Sequence, residues 1–262
     1  MSLFDKETSI TRVGEGVWEA QLSAHWNIGA NSNGGYAMAP VLRALRELTG
    51  QPDPISVTTH YLRPVQGGSI GRIEARLIRA GRTTATARGA LSVDGKERLV
   101  VMAAFGDVET EVGIGPEIGP TPPELPPVED CIPRGELDQG VELPLLSRVE
   151  CALDPACVGP GESAVIEGWI RFADGAAAST LSLPCLADTF PPALTALVGN
   201  TGWVPTIELT THVRRAPKAG WLRARYECDD LHKGRMIETG TLWDSRGAVV
   251  ARVRQIGLLL AK

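Results

Sequence analysis

A chain that writes the same strand twice is committed to a fold in two matching parts. ISVTTHYLRPV, from Ile55 to Val65, returns as VPTIELTTHVRRAP, from Val204 to Pro217. Thr58-Thr59-His60 recurs as Thr210-Thr211-His212, 152 residues later, and an Arg and a Pro follow each copy. The flanks repeat as well. Before the first copy, NGGYAMAPVLRALRELTG carries Met38, Val41, Leu42, Leu45 and Leu48 at helical spacing, which predicts a helix from Tyr36 to Leu48 with Gly50 as its stop. Pro40 falls near the start of that run, where a first-turn proline is tolerated. After the first copy, SIGRIEARLIRAG alternates apolar and charged residues as a half-buried strand does, and Asp94-Gly95 turns a hairpin in the segment that follows.

The second half keeps the order. GWIRF reads as a strand and LPCLADTFPPALTAL as a helix with Pro191 and Pro192 in its early turns. VPTIELTTHVRRAP, WLRARYECDD, GRMIETGTLWD and AVVARVRQIGLLL then read as strands, with a turn at Ser245-Arg246-Gly247. Aligned on the repeated triplet, Gly89 matches Gly240 and Ala104 matches Gln255. One helix followed by a long antiparallel meander, written twice, argues an α+β fold. The halves span 1–107 and 148–262; between them, 108–147 holds eight of the 19 prolines and no apolar period, the pattern of an extended surface crossover.

Composition bounds the partners. A net charge of -5 argues against a general affinity for nucleic acid. No apolar run approaches the roughly 18 residues that cross a bilayer, and MSLFDKETSI has no apolar core of a signal peptide. Five scattered cysteines without a CxxC pair fit a reducing compartment, so the expected location is cytoplasmic. The four histidines lack ligand spacing, and neither a metal nor a cofactor is expected. No GxSxG elbow is present, and His60 and His212, at equivalent strand positions, read as sheet or interface residues.

NGGY opening an apolar helix, a strand ending in HYLRP, RAGRTTATARGALSVDGKERLVVMAAFG, and later LADTFPP, WVPTIELTTHVR and GTLWDSRGAVVARVRQ together resemble the acyl-CoA thioesterase II-like (TesB-like) family. The likeness covers nearly the whole chain and is weakest in the connector. It implies a double hotdog, in which each half wraps a curved antiparallel sheet around a central helix and the halves join into one continuous sheet. It implies hydrolysis of medium- to long-chain fatty acyl-CoA to free acid and CoA. It also implies a catalytic trio that falls here on Asp188, Thr206 and Gln255, with Thr210 as the alternative threonine.

The residue types suit the chemistry. Water must be aimed at the thioester carbon, lose a proton, and leave an oxyanion that needs donors. Asp188 is the sole carboxylate from Ser179 to Asn200, at what reads as an apolar helix start, where desolvation raises a carboxylate toward a useful base. Thr206 and Gln255 can hold the same water without competing for its proton. Each also has a plainer reading: Asp188 as a helix cap, Thr206 as a β-former, Gln255 as an outward strand residue. Gly34 and Gly35 could offer backbone N–H groups to the oxyanion, or simply let the chain bend into its helix. In the first half Ala104 and Pro54 stand where Gln255 and Thr206 stand in the second, so one working site per chain is expected. Arg63, Arg79 and Arg82 could meet the phosphates of CoA. The rival readings are a non-catalytic acyl-CoA or lipid-binding protein and a hotdog enoyl-CoA hydratase or dehydratase, the latter wanting a histidine near Asp188. Long sheet edges are compatible with a homo-oligomer.

Overall fold

The structure, a computed structural model, describes residues 1–260. The first half opens with the short helix α1 (Leu3–Glu7), strands β1 (Thr11–Gly14) and β2 (Val17–Gln21), and a small ladder of β3 (Asn27–Ile28) and β4 (Asn31–Ser32). Helix α2 (Gly34–Thr49) follows, then β5 (Asp53–Tyr61), β6 (Ile70–Ala80), β7 (Thr84–Val93) and β8 (Lys96–Gly106). The connector contributes only β9 (Ile132–Pro133) and short 3₁₀ turns. The second half runs β10 (Val149–Leu153), β11 (Val165–Phe172), α3 (Leu183–Ala187), α4 (Thr195–Val198), β12 (Thr206–Val213), β13 (Leu222–His232), β14 (Arg235–Trp243) and β15 (Val249–Leu258).

Thirteen strands form one sheet in the order β1-β2-β6-β7-β8-β5-β12-β15-β14-β13-β11-β10-β9. Read outward from its middle, the first six strands on each side correspond, strand for equivalent strand, and β9 from the connector adds one more at the outer edge of the second half. This is the double hotdog. The seam is the repeated triplet itself: β5 and β12 pair antiparallel with Thr58 opposite Thr210, and the two hydroxyls lie 2.9 Å apart. Equivalent residues face one another there, so the pseudo-twofold axis passes between them. His60 and His212 flank it on exposed positions.

Helix α2 is the core of the first half. Tyr36, Met38, Val41, Leu42 and Leu45 are buried, and the helix lies on β6 and β7. A Cβ on Gly89 of β7 would come within 2.6 Å of Val41, so a glycine lets the helix seat this closely. Asn33 caps the helix by accepting from Tyr36 N–H, and Gly50 closes it at φ 65°. The helix starts two residues before the predicted Tyr36, which places Pro40 in its second turn rather than its first.

The helix predicted over LPCLADTFPPALTAL is broken. It forms only α3 and α4, separated by Asp188 to Leu194. Pro191 and Pro192 supply no N–H and disfavour helical backbone in the residues before them, so the run cannot continue. Register makes a second correction. Ala103 pairs with Val57 as Gln255 pairs with Leu209, so the first-half counterpart of Gln255 is Ala103 and not Ala104. Pro54, opposite Phe105, does match Thr206, opposite Gly257.

The connector is more than a surface crossover. Trp169 and Trp243 donate their indole N–H to the carbonyls of Pro126 and Pro120, each at 2.9 Å, and Cys131, Arg134 and Leu145 are buried. Sequence periodicity misses this because the packing runs through isolated residues and proline carbonyls. None of the described helices is long and apolar enough to cross a membrane.

Candidate active site

The start of α2 meets the end of α3 beside a cavity of about 540 Å³. Asn33, Gly34, Tyr61, Arg134, Asp188, Thr206 and Gln255 all contribute to its wall, together with apolar residues such as Ile28, Val65, Phe190 and Leu258. Asp188 does not sit at a helix start as predicted; it is the residue that ends α3. Its Oδ2 accepts from Gly35 N–H at 2.7 Å and from Asn33 Nδ2 at 2.9 Å. Asn33 therefore does two things at once, capping α2 through Oδ1 and holding Asp188 through Nδ2. Burial pushes the Asp188 carboxyl up to about 6, against the pull of the Gly35 and Asn33 donors and of the Arg134 charge. Most of it is ionised at neutral pH, close enough to its titration to take up a proton.

The glycines at the start of α2 are required by this contact. A Cβ on Gly35 would lie 2.8 Å from both Asp188 Cβ and Cys185 Cα, and one on Gly34 would lie 2.9 Å from the Tyr61 ring. Of the two glycines expected as oxyanion donors, Gly35 instead gives its N–H to the Asp188 carboxylate, while Gly34 lines the cavity.

Across the cavity, Thr206 and Gln255 form one unit: the Thr206 hydroxyl donates to Gln255 Oε1 at 3.1 Å, and Gln255 Nε2 donates to Glu238 Oε1 at 2.7 Å. Thr210, the alternative threonine, is not part of the cavity wall; its hydroxyl lies between Thr58 and Glu208 on the seam. Tyr61 adds a buried hydroxyl with no hydrogen-bond partner among the described residues. Burial, and then the Asp188 charge, hold its pKa well above that of an ordinary tyrosine, so it remains a donor. Of the three arginines considered for CoA, Arg63 lines the cavity; Arg79 and Arg82 are exposed on other parts of the sheet.

Among the described residues, one group of metal-ligand type, Asp154, Cys157 and Glu167, gathers its ligand atoms within 4.8 Å. Glu167 there is already paired with Arg225, which gives its carboxylate a partner without an ion.

Comparison with known proteins settles the family. The model of the acyl-CoA thioesterase N-terminal domain matches residues 22–106, and that of the acyl-CoA thioesterase C-terminal domain matches 123–259. The chain belongs to the acyl-CoA thioesterase family. This thioesterase is similar to a solved structure assigned as a thioesterase II from Thermobifida fusca YX, at 29% identity and a TM-score of 0.88, over 100% of this chain and 98% of that one. An uncharacterized protein of Mycobacterium tuberculosis strain H37Rv is 27% identical over 94% of this chain and 92% of its own length. The acyl-CoA thioesterase II TesB2 of Mycobacterium marinum, 17% identical, shares the fold at a TM-score of 0.75, with 99% of this chain and 98% of that one covered.

Two residues of the thioesterase's cavity wall, Tyr61 and Arg134, and Glu238 hydrogen-bonded behind Gln255, were not singled out as site residues in the sequence. Glu238 left a signal, since it shares the inward face of β14 with Met236, Gly240 and Leu242 and is the one charge there. Arg134 left none. It is a single cation in a proline-rich segment, yet it is buried, donating to the Thr189 carbonyl and to Gln139 Oε1, and burial lowers its pKa.

Proposed function

We propose that the chain hydrolyses medium- to long-chain fatty acyl-CoA by direct attack of a water that Asp188 deprotonates and that Thr206 and Gln255 hold. The observation that carries this reading is the enclosed Asp188 carboxylate, raised to about 6, in the same cavity wall as the hydrogen-bonded Thr206–Gln255 pair. The water oxygen bonds to the thioester carbon while its proton passes to Asp188. Negative charge then develops on the former carbonyl oxygen, within reach of the neutral Tyr61 hydroxyl, an unpaired buried donor that such a charge would satisfy. Collapse breaks the C–S bond, and Asp188 returns the proton to the leaving CoA sulfur, giving free acid and thiol. No cofactor enters this scheme.

The mostly apolar wall and the volume of about 540 Å³ suit an extended acyl chain, and Arg63 at the wall is placed to meet CoA. A dehydratase would want a histidine beside Asp188, but His25, His60, His212 and His232 are all exposed and outside the cavity wall. The test is a panel of acyl-CoAs from short to long chain, with released thiol trapped by a chromogenic reagent. The proposal expects turnover that peaks at medium to long chains. Tight binding without thiol release at any length would refute it in favour of a binding protein.

A further inference from the structure

Behind Gln255 lies a carboxylate that the chemistry above does not use. Glu238 is 3% exposed and sits directly across the β14–β15 register from Gln255. Its Oε1 accepts from Gln255 Nε2 at 2.7 Å, and its Oε2 accepts from the N–H of Ala193, in the break between α3 and α4. None of the described ion pairs involves it. A buried carboxylate without a cation is costly to the fold. The fold does not need one here, because the equivalent cross-strand pair in the first half is Ala87 and Ala103. A polar pair has replaced an alanine pair only where the cavity wall contains Gln255.

We propose that Glu238 is a positioning residue: it sets the direction of the hydrogen-bond chain through Gln255 to Thr206, and so makes Thr206 an acceptor toward the cavity. The inference rests on the reading of Asp188, Thr206 and Gln255 as the catalytic set. Above its titration, at pH 8, the Glu238 carboxylate only accepts, so Gln255 turns its NH₂ to Glu238 and its carbonyl oxygen to Thr206. Thr206 then gives its single hydroxyl proton to Gln255 and has only lone pairs left for the cavity. A water held between Thr206 and Asp188 meets two acceptors. It donates both hydrogens and leaves a lone pair for the thioester carbon. Were position 238 a donor, the Gln255 amide would reverse, Thr206 would accept from it, and the threonine O–H would compete for the very lone pair that must attack.

The E238Q variant keeps size and the Ala193 contact but sets an NH₂ against Gln255. The expected result is a fall in kcat of tenfold or more with KM within about twofold, and a melting temperature no lower than that of the wild type. The double swap E238Q/Q255E restores the order of donors and acceptors, since the amide at 238 donates to the carboxylate at 255, which accepts from Thr206. Its kcat is expected several-fold above that of either single variant. E238Q at wild-type kcat, or a swap no better than its single variants, overturns the inference. Should E238Q fold poorly, the swap measured against Gln255→Glu alone decides by the same criterion. A wild type that releases thiol from no acyl-CoA removes the catalytic reading and this inference together; an active wild type indifferent to position 238 removes the inference alone.

Discussion

On the proposed reading, Asp188 is where this chain gives up stability for chemistry. Its pKa of about 6 in the folded protein stands above the ordinary 3.8, so the fold favours the protonated carboxyl. The stabilising contribution of that proton is complete below about 4 and is lost as pH rises through about 6. Keeping the group ionised at pH 7.5 costs on the order of 2–3 kcal/mol. Glu238, raised by burial to about 7 with Asp188 adding to the rise, carries a cost of the same sign. Catalysis needs the ionised forms, so activity and this part of stability run in opposite directions. Thiol release is expected to fall as pH is lowered through 7 and 6. The gain in melting temperature of Asp188→Asn over the wild type is expected to be largest at pH 7.5 and to shrink toward pH 4.5. A gain independent of pH would show that the carboxylate is not strained by burial. Tyr61→Phe removes the orphaned hydroxyl and little else; its kcat is expected to fall by roughly 10²- to 10³-fold at unchanged melting temperature, on the scale of a single oxyanion donor. A Phe variant at full activity would place the donor elsewhere.

At the scale of elements, the site exists because α3 stops early. The same Pro191-Pro192 that break the predicted helix leave Asp188 at its end, facing the start of α2, and expose the Ala193 N–H that Glu238 uses. Sequence pattern found the helical ends of the apolar run but read one continuous helix across the break, since prolines in a first turn and prolines just beyond a last turn look alike without knowing where the helix begins. The contact also explains Gly35. Gly35→Ala drives a methyl into Asp188 and Cys185, so the helices must part. The expected cost is about 1–3 kcal/mol in chemical denaturation, with at least tenfold lower kcat. Alanine tolerated at Gly35 on both measures would mean that the α2–α3 approach is looser than the structure shows.

At the scale of the molecule, two equivalent halves carry unequal residues at the proposed site. The repeat, the helix of the first half and the seam were legible in the sequence, because the repeated triplet marks the strands that meet at the pseudo-twofold axis. The asymmetry was legible too, in Pro54 for Thr206 and an alanine for Gln255. What could not be read was whatever depends on side chains from distant segments closing on one cavity: Arg134 from the connector, Tyr61 from the first half, Glu238 behind Gln255. The seam should be separable from the chemistry. Thr58→Val and Thr210→Val each remove one side of the 2.9 Å contact between the two hydroxyls. Each is expected to cost about 0.5–1.5 kcal/mol and the pair less than the sum, since removing both orphans neither hydroxyl and leaves only the half-buried Glu208 carboxylate to turn to water. Thiol release should stay at the wild-type rate in all three; a fall would tie the seam directly to catalysis.

The central claim is that the Asp188 carboxylate activates water for thioester hydrolysis. The most direct measurement is the rate of thiol release at pH 7.5 from the best acyl-CoA by wild type and by Asp188→Asn, which keeps the Asn33 and Gly35 hydrogen bonds and removes only the base. The account predicts a loss in kcat of about 10²- to 10⁴-fold in a protein that melts higher than the wild type. An Asp188→Asn protein that releases thiol at close to the wild-type rate would contradict it.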